Sequence, residues 1–153
     1  MSHTIQLLKE PLQQVLQNFA YLDLEIRPGH CDFHDDWEFN SAVNCGGSCH
    51  GTVAIFTTRE LLIRTADGML GLDSSPHEQL DVLGELANVL AGNSYELLCD
   101  GLRPAQVTTP NLLAQSTAIE IWNNAPADGR FLLHGEKNVE GGLVIAFPGE
   151  WRG

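Results

Sequence analysis

Glu85 and Asn88 are the pair in this chain whose types and spacing suggest chemistry. On a helix turning 100° per residue, residues 76–99 place Leu80, Leu83, Ala87, Leu90, Ala91, Ser94, Leu97 and Leu98 within about one third of the circumference. The opposite side carries Asp81, Glu85, Asn88 and Gly92 in a row at i, i+4, i+7 and i+11, so the carboxylate and the carboxamide are neighbours. A carboxylate accepts hydrogen bonds and pairs with a cation. A carboxamide donates and accepts without titrating near neutrality, which suits it to holding a water molecule in place. Gly92 in mid-helix costs about 1 kcal/mol relative to alanine, and a close contact from outside the domain would explain it. Val82 and Val89 flank the row on the expected exposed half, where apolar side chains suit docking of a partner. A solvated helix face is the commoner meaning of such a row, so spacing alone assigns no function.

Other chemistry-bearing residues point less far. Cys45-Gly-Gly-Ser-Cys49-His50, taken with His30, Cys31 and His34, has the ligand types of a zinc site. The cysteine spacing is only permissive and Cys45 closes an expected strand, so no metal of the chain's own is expected. His77 reads as a solvated first-turn residue, and Trp37, Trp122 and Trp151 as packing groups. The net charge of −12, from 8 basic and 20 acidic residues, repels phosphate backbones and anionic lipid, so nucleic acid is not an expected partner. No run of apolar residues reaches the length of a membrane span, and the first ten residues have no secretory pattern. A cytoplasmic location is therefore expected, and with it four free thiols at Cys31, Cys45, Cys49 and Cys99.

The 153 residues suit one domain able to bury a core. Ile5, Leu8, Leu12, Val15, Leu16 and Phe19 mark an amphipathic N-terminal helix, which Pro11 is expected to start late or kink. Residues 27–37 read as a loop, and residues 39–45 and 51–57 as adjacent antiparallel strands. Thr57 with Glu60, and Ser75 with Glu78 behind Pro76, are capping-box signatures of two successive helices. The first should end at Gly71 with a core stripe of Leu61, Leu62, Thr65, Ala66 and Met69; the second should stop at Gly101. Residues 104–109, 117–122, 131–134 and 143–147 follow as strands. The fold class is then α+β: an antiparallel sheet with two long helices packed on one face.

The string Asp81-Val-Leu-Gly-Glu85-Leu-Ala-Asn88-Val-Leu-Ala-Gly92-Asn93 resembles the signature helix of the CheC/CheX/FliY phosphatase group, a Glu and an Asn three residues apart followed by glycine. The resemblance runs in order from Phe39 to Pro110, through Gly46-Gly47, Gly51 and Val107-Thr-Thr-Pro110. One such motif is present, as in the CheX-like subgroup, whereas CheC generally has two. The group commonly has two prolines where this chain has Thr109-Pro110.

What the resemblance implies is a phosphatase that hydrolyses the aspartyl phosphate of a CheY-like response-regulator receiver in chemotaxis or two-component signalling, often as a homodimer. Glu85 and Asn88 are then the catalytic residues, with Asp81, Val82, Val89 and Gly92 contacting the partner. The Mg²⁺ of the reaction belongs to the receiver, and no cofactor is expected on this chain. A non-catalytic adaptor that binds a response regulator is the alternative.

Overall fold

The computed structural model describes residues 3–47, 49–71, 73–99, 103–104 and 106–147, without the side chain of His3. Helix α1 (His3–Ala20) leads to the short strand β1 (Glu25–Pro28), and the hairpin strands β2 (Phe39–Gly46) and β3 (Gly51–Thr57) follow. Helices α2 (Arg59–Leu70) and α3 (Pro76–Leu98) come next, then the two-residue strands β4 (Gln106–Val107) and β5 (Asn111–Leu112). Helix α4 (Gln115–Asn124) and strands β6 (Arg130–His134) and β7 (Val139–Ala146) complete the order. The strands form one antiparallel sheet ordered β1-β6-β7-β3-β2-β4, with β5 also on β2. The expected α+β class and antiparallel sheet are what the structure has.

Side chains alternate across the pleat and divide the sheet between two cores. Val43, Cys45, Val53, Ile55, Phe131, Leu133, Leu143 and Ile145 face one way, where Ile5, Leu8, Leu12 and Leu16 of α1, Leu61 and Leu62 of α2, and Leu83, Leu86, Leu90 and Tyr95 of α3 cover them. Ala42, Ala54, Phe56 and Val144 face the other way and meet Trp37, Ala118 and Trp122.

Residues 117–122 are therefore helix, not the expected strand: Ala118 and Trp122 stand at i and i+4 and both bury against the sheet. Isoleucine, threonine and tryptophan favour strands, but here the burial of that pair decides. Residues 25–28, expected as loop in part, form an edge strand on β6, where Pro28 lacks only a donor that an edge does not need. Helix α1 starts at His3 and runs through Pro11, whose ring lies on the exposed face, so the late start does not occur. Phe19 is 39% exposed and leaves the stripe assigned to it.

Both helix starts are capped, the first one residue later than expected: Thr58, not Thr57, accepts from the Leu61 amide. Gly71 ends α2 at φ 89°, a conformation glycine adopts without steric cost. Ser75 and Glu78 form the expected capping box of α3, with Ser75 N donating to Glu78 Oε1 at 2.9 Å and Glu78 N to Ser75 Oγ at 3.2 Å. The expected stop at Gly101 lies outside the described residues; Cys99 caps the helix.

The thiols depart from expectation. Cys49, after the β2–β3 turn, and Cys99, at the end of α3, form a disulfide with Cα atoms 6.4 Å apart, leaving Cys31 and Cys45 free. Low cysteine density and an assumed reducing compartment cannot reveal that a turn and a helix end meet. Tyr95, one helical turn before Cys99, ties the same corner by accepting the Cys49 amide at 2.9 Å.

Candidate functional site

Helix α3 lies across the sheet beside both α1 and α2, and this packing buries more of it than one third. Val82, Leu83, Gly84, Leu86, Ala87, Leu90, Ala91, Ser94, Tyr95 and Leu98 are all buried. Between Asp81 and Leu98 only Asp81 and Glu85 are exposed, while Asn88, Val89, Gly92, Asn93, Glu96 and Leu97 are half-buried. The open part of the helix is thus a narrow ridge, and the row inferred from spacing is that ridge.

Val82 does not belong to it. At 2% exposure it is buried within the packing of α3, so the partner contact expected of Val82 is corrected. A 100° turn separates it from Asp81, enough to carry it under neighbouring side chains in so closely packed a helix. Val89 does reach the surface, on the α1 side, where it lines a shallow groove with Pro11, Val15 and Phe19.

The other flank of the ridge is a cleft of about 370 Å³ lined by Ser41, His77, Leu80, Asp81, Gly84, Glu85, Asn88, Thr109, Pro110 and Leu112. Its far wall is residues 108–112, held along β2 by the Thr108 amide on the Asn44 carbonyl at 3.0 Å and the Asn44 amide on Thr108 Oγ1 at 3.0 Å. The Leu113 amide on the Asn40 carbonyl at 2.9 Å closes the same wall. Gly84 lets this wall approach, since a Cβ there would stand 3.2 Å from Pro110 Cβ. Gly92 shows no such internal reason, because a Cβ there would meet nothing within 4 Å among the described residues.

Charge in the cleft is one-sided. Asp81 and Glu85 line it, and among the described residues no lysine or arginine does. His77 Nε2 stands 3.5 Å from Asp81 Oδ2, both well exposed, a pairing of little energetic weight. Two buried polar atoms of cleft residues, Ser41 Oγ and Asn88 Oδ1, have no hydrogen-bond partner among the described residues. Such a site offers a partner an anionic rim, a carboxamide and the apolar side chains of Leu80, Pro110 and Leu112.

Spacing located Asp81, Glu85, Asn88 and Gly92, and it missed Ser41, His77 and Leu112. Ser41 carried a signal: it shares the strand phase of Phe39, Val43 and Cys45 yet is polar. The zinc reading loses its ligand set, because Cys49 is held in the disulfide, and no group of three candidate metal ligands exists among the described residues. Cys31 Sγ instead lies 3.7 Å from His34 Nε2.

A family profile described as "Chemotaxis phosphatase CheX" matches residues 39–124, more than half of the chain. The chain belongs to the CheX family. The matched stretch runs from the first residue of β2 to the last of α4 and contains every residue of the cleft. Helix α1 and strands β1, β6 and β7 lie outside it, but solved structures extend the likeness over them. CheX in a CheX–CheY–BeF3–Mg²⁺ complex from Borrelia burgdorferi is 17% identical with a TM-score of 0.68, over 94% of this chain and 96% of that one. The chemotaxis protein CheX from Vibrio vulnificus is 16% identical at TM-score 0.64, over 95% and 97%. A CheC-like superfamily protein from Shewanella sp. PV-4 is 22% identical at TM-score 0.61, over 97% and 100%. At these identities the solved structures speak for the CheX fold. No curated protein matches the chain. Among the described residues no helix is long and apolar enough to cross a membrane.

Proposed function

We propose that this CheX-family chain hydrolyses the aspartyl phosphate of a CheY-like receiver. The observation that carries the reading is the ridge itself: Glu85 and Asn88 both line the cleft, on a helix whose central turns are otherwise mostly packed. A side chain on such a ridge can enter a groove on another protein without refolding either partner. The relative from Borrelia burgdorferi was solved with CheY, BeF3 and Mg²⁺, which supports a receiver as the occupant.

Water attacks phosphorus, the bond from phosphorus to the aspartate oxygen breaks, and inorganic phosphate leaves with a free carboxylate on the receiver. This reaction asks mainly for positioning and for stabilisation of charge. Asn88 orients the attacking water through its amide, which needs no change of protonation. Glu85, on the anionic rim, pairs with a lysine beside the receiver's phosphorylated aspartate and so docks and aligns it. The receiver contributes the Mg²⁺. Val89 and Gly92 extend the contact along the ridge, and a homodimer would present two such ridges.

The test is a CheY receiver phosphorylated by acetyl phosphate and mixed with a tenfold smaller amount of this protein. Turnover of many receivers per chain is expected, and Asn88→Ala should lower the rate about 10²-fold with the fold intact. Loss of phosphate limited to one receiver per chain would reject the catalytic reading and leave an adaptor, and a fully active Asn88→Ala would reject the mechanism through Asn88.

A further inference from the structure

Ser41 is a costly residue where it stands. It takes the strand phase of Val43 and Cys45, whose side chains join the apolar layer beneath α3. It is 0% exposed, and its Oγ has no hydrogen-bond partner. Alanine would fit the space and avoid burying an unpaired hydroxyl. The fold alone therefore gives no reason for a serine.

The cleft supplies one. Ser41 and Asn88 line the same 370 Å³ space, Ser41 from β2 below and Asn88 from the ridge above. Asn88 Oδ1 is likewise buried without a partner. An amide oxygen only accepts, and a serine hydroxyl rotates freely to donate, so the two atoms are complementary.

We infer that Ser41 is a positioning residue for Asn88, an inference that rests on the phosphatase reading above. When a receiver closes the cleft, the two side chains shift so that its hydroxyl donates to Asn88 Oδ1. With the oxygen held inward, the amide presents its two N–H groups outward. One meets the attacking water and the other a phosphoryl oxygen, which sets the water over phosphorus. Ser41 touches neither the receiver nor the reacting atoms. It acts through the orientation of Asn88.

The experiment measures steady-state dephosphorylation of a CheY receiver, phosphorylated by acetyl phosphate, and thermal unfolding, for the wild type, Ser41→Ala, Asn88→Ala and the double variant. Ser41→Ala should lower kcat about 3- to 10-fold, the scale of one net hydrogen bond, with KM for the receiver held. Its unfolding temperature should stay level or rise, since an unpaired buried hydroxyl is gone. In the Asn88→Ala background, Ser41→Ala should cost nothing further, because the group it positions is absent. Wild-type kcat in Ser41→Ala, an equal proportional loss in both backgrounds, or a loss that tracks a lowered unfolding temperature would each overturn the inference while leaving the phosphatase reading in place. A wild-type chain without turnover would overturn both.

Discussion

Gly92→Ala separates what the fold asks of the ridge from what a partner asks of it. Glycine inside a helix costs about 1 kcal/mol relative to alanine. The added Cβ would have no neighbour within 4 Å among the described residues, so no clash there offsets the gain in helix propensity. The variant should be more stable by about 0.5–1 kcal/mol, which raises Tm by roughly 1–4 °C for a chain of this size. Docking should respond the opposite way. A methyl group forced into a close contact costs ~1–3 kcal/mol, or about a fivefold to hundredfold loss in kcat/KM, and Gly92→Leu should lose more. Thermal unfolding and receiver dephosphorylation on the same preparations read both effects. If Gly92→Ala and Gly92→Leu keep the wild-type KM, Gly92 does not face a partner. If Gly92→Ala lowers Tm, the space above it is not open.

Gly84→Ala should behave differently, lowering Tm or weakening activity by displacing the Pro110 wall, because its Cβ would stand 3.2 Å from Pro110 Cβ. Glu85→Ala should raise KM as well as lower kcat, since a charge at an interface serves docking and alignment together; an unchanged KM would remove the lysine pairing. Thiol titration of the oxidised, denatured protein should find two free thiols of four, and reduction should lower stability by up to about 4 kcal/mol, the entropy of opening a loop of separation 50. Four titratable thiols would contradict the disulfide. Hydrogen bonds from Ser75 hold the Glu78 carboxyl below the ordinary carboxylate range. Its contribution is therefore present above that range and is lost as pH falls through the lowered folded value. Glu78→Gln, which keeps an acceptor for the Ser75 amide, should flatten that part of the acid unfolding curve, as followed by helical circular dichroism.

Local signals were legible wherever one segment decided its own conformation. The Ser75, Pro76 and Glu78 cap set the start and the phase of α3, and that phase placed Asp81, Glu85, Asn88 and Gly92 in one row. The row, joined to the family resemblance, was enough to name the ridge. Errors fell where two segments decide together. Residues 117–122 carry strand formers, yet Ala118 and Trp122 gain more by burying as a helical pair against Phe56 and Trp37. Val82 sits beside the ridge in angle, and only the packing of neighbouring elements around α3 shows that it is covered.

The sequence by itself determined the capped helix, its angular phase and hence which side chains share its open edge, because capping and periodicity act within one segment. Tertiary structure alone decided how narrow that edge is and what stands beside it. Residues 108–113 come to β2 by hydrogen bonds to Asn40 and Asn44, far away in the chain, and bring Pro110 against Gly84. The closing of the core likewise brings Ser41 and Asn88 to one cleft and joins Cys49 to Cys99. Such juxtapositions follow from how the whole core closes, and no local run of residues encodes them.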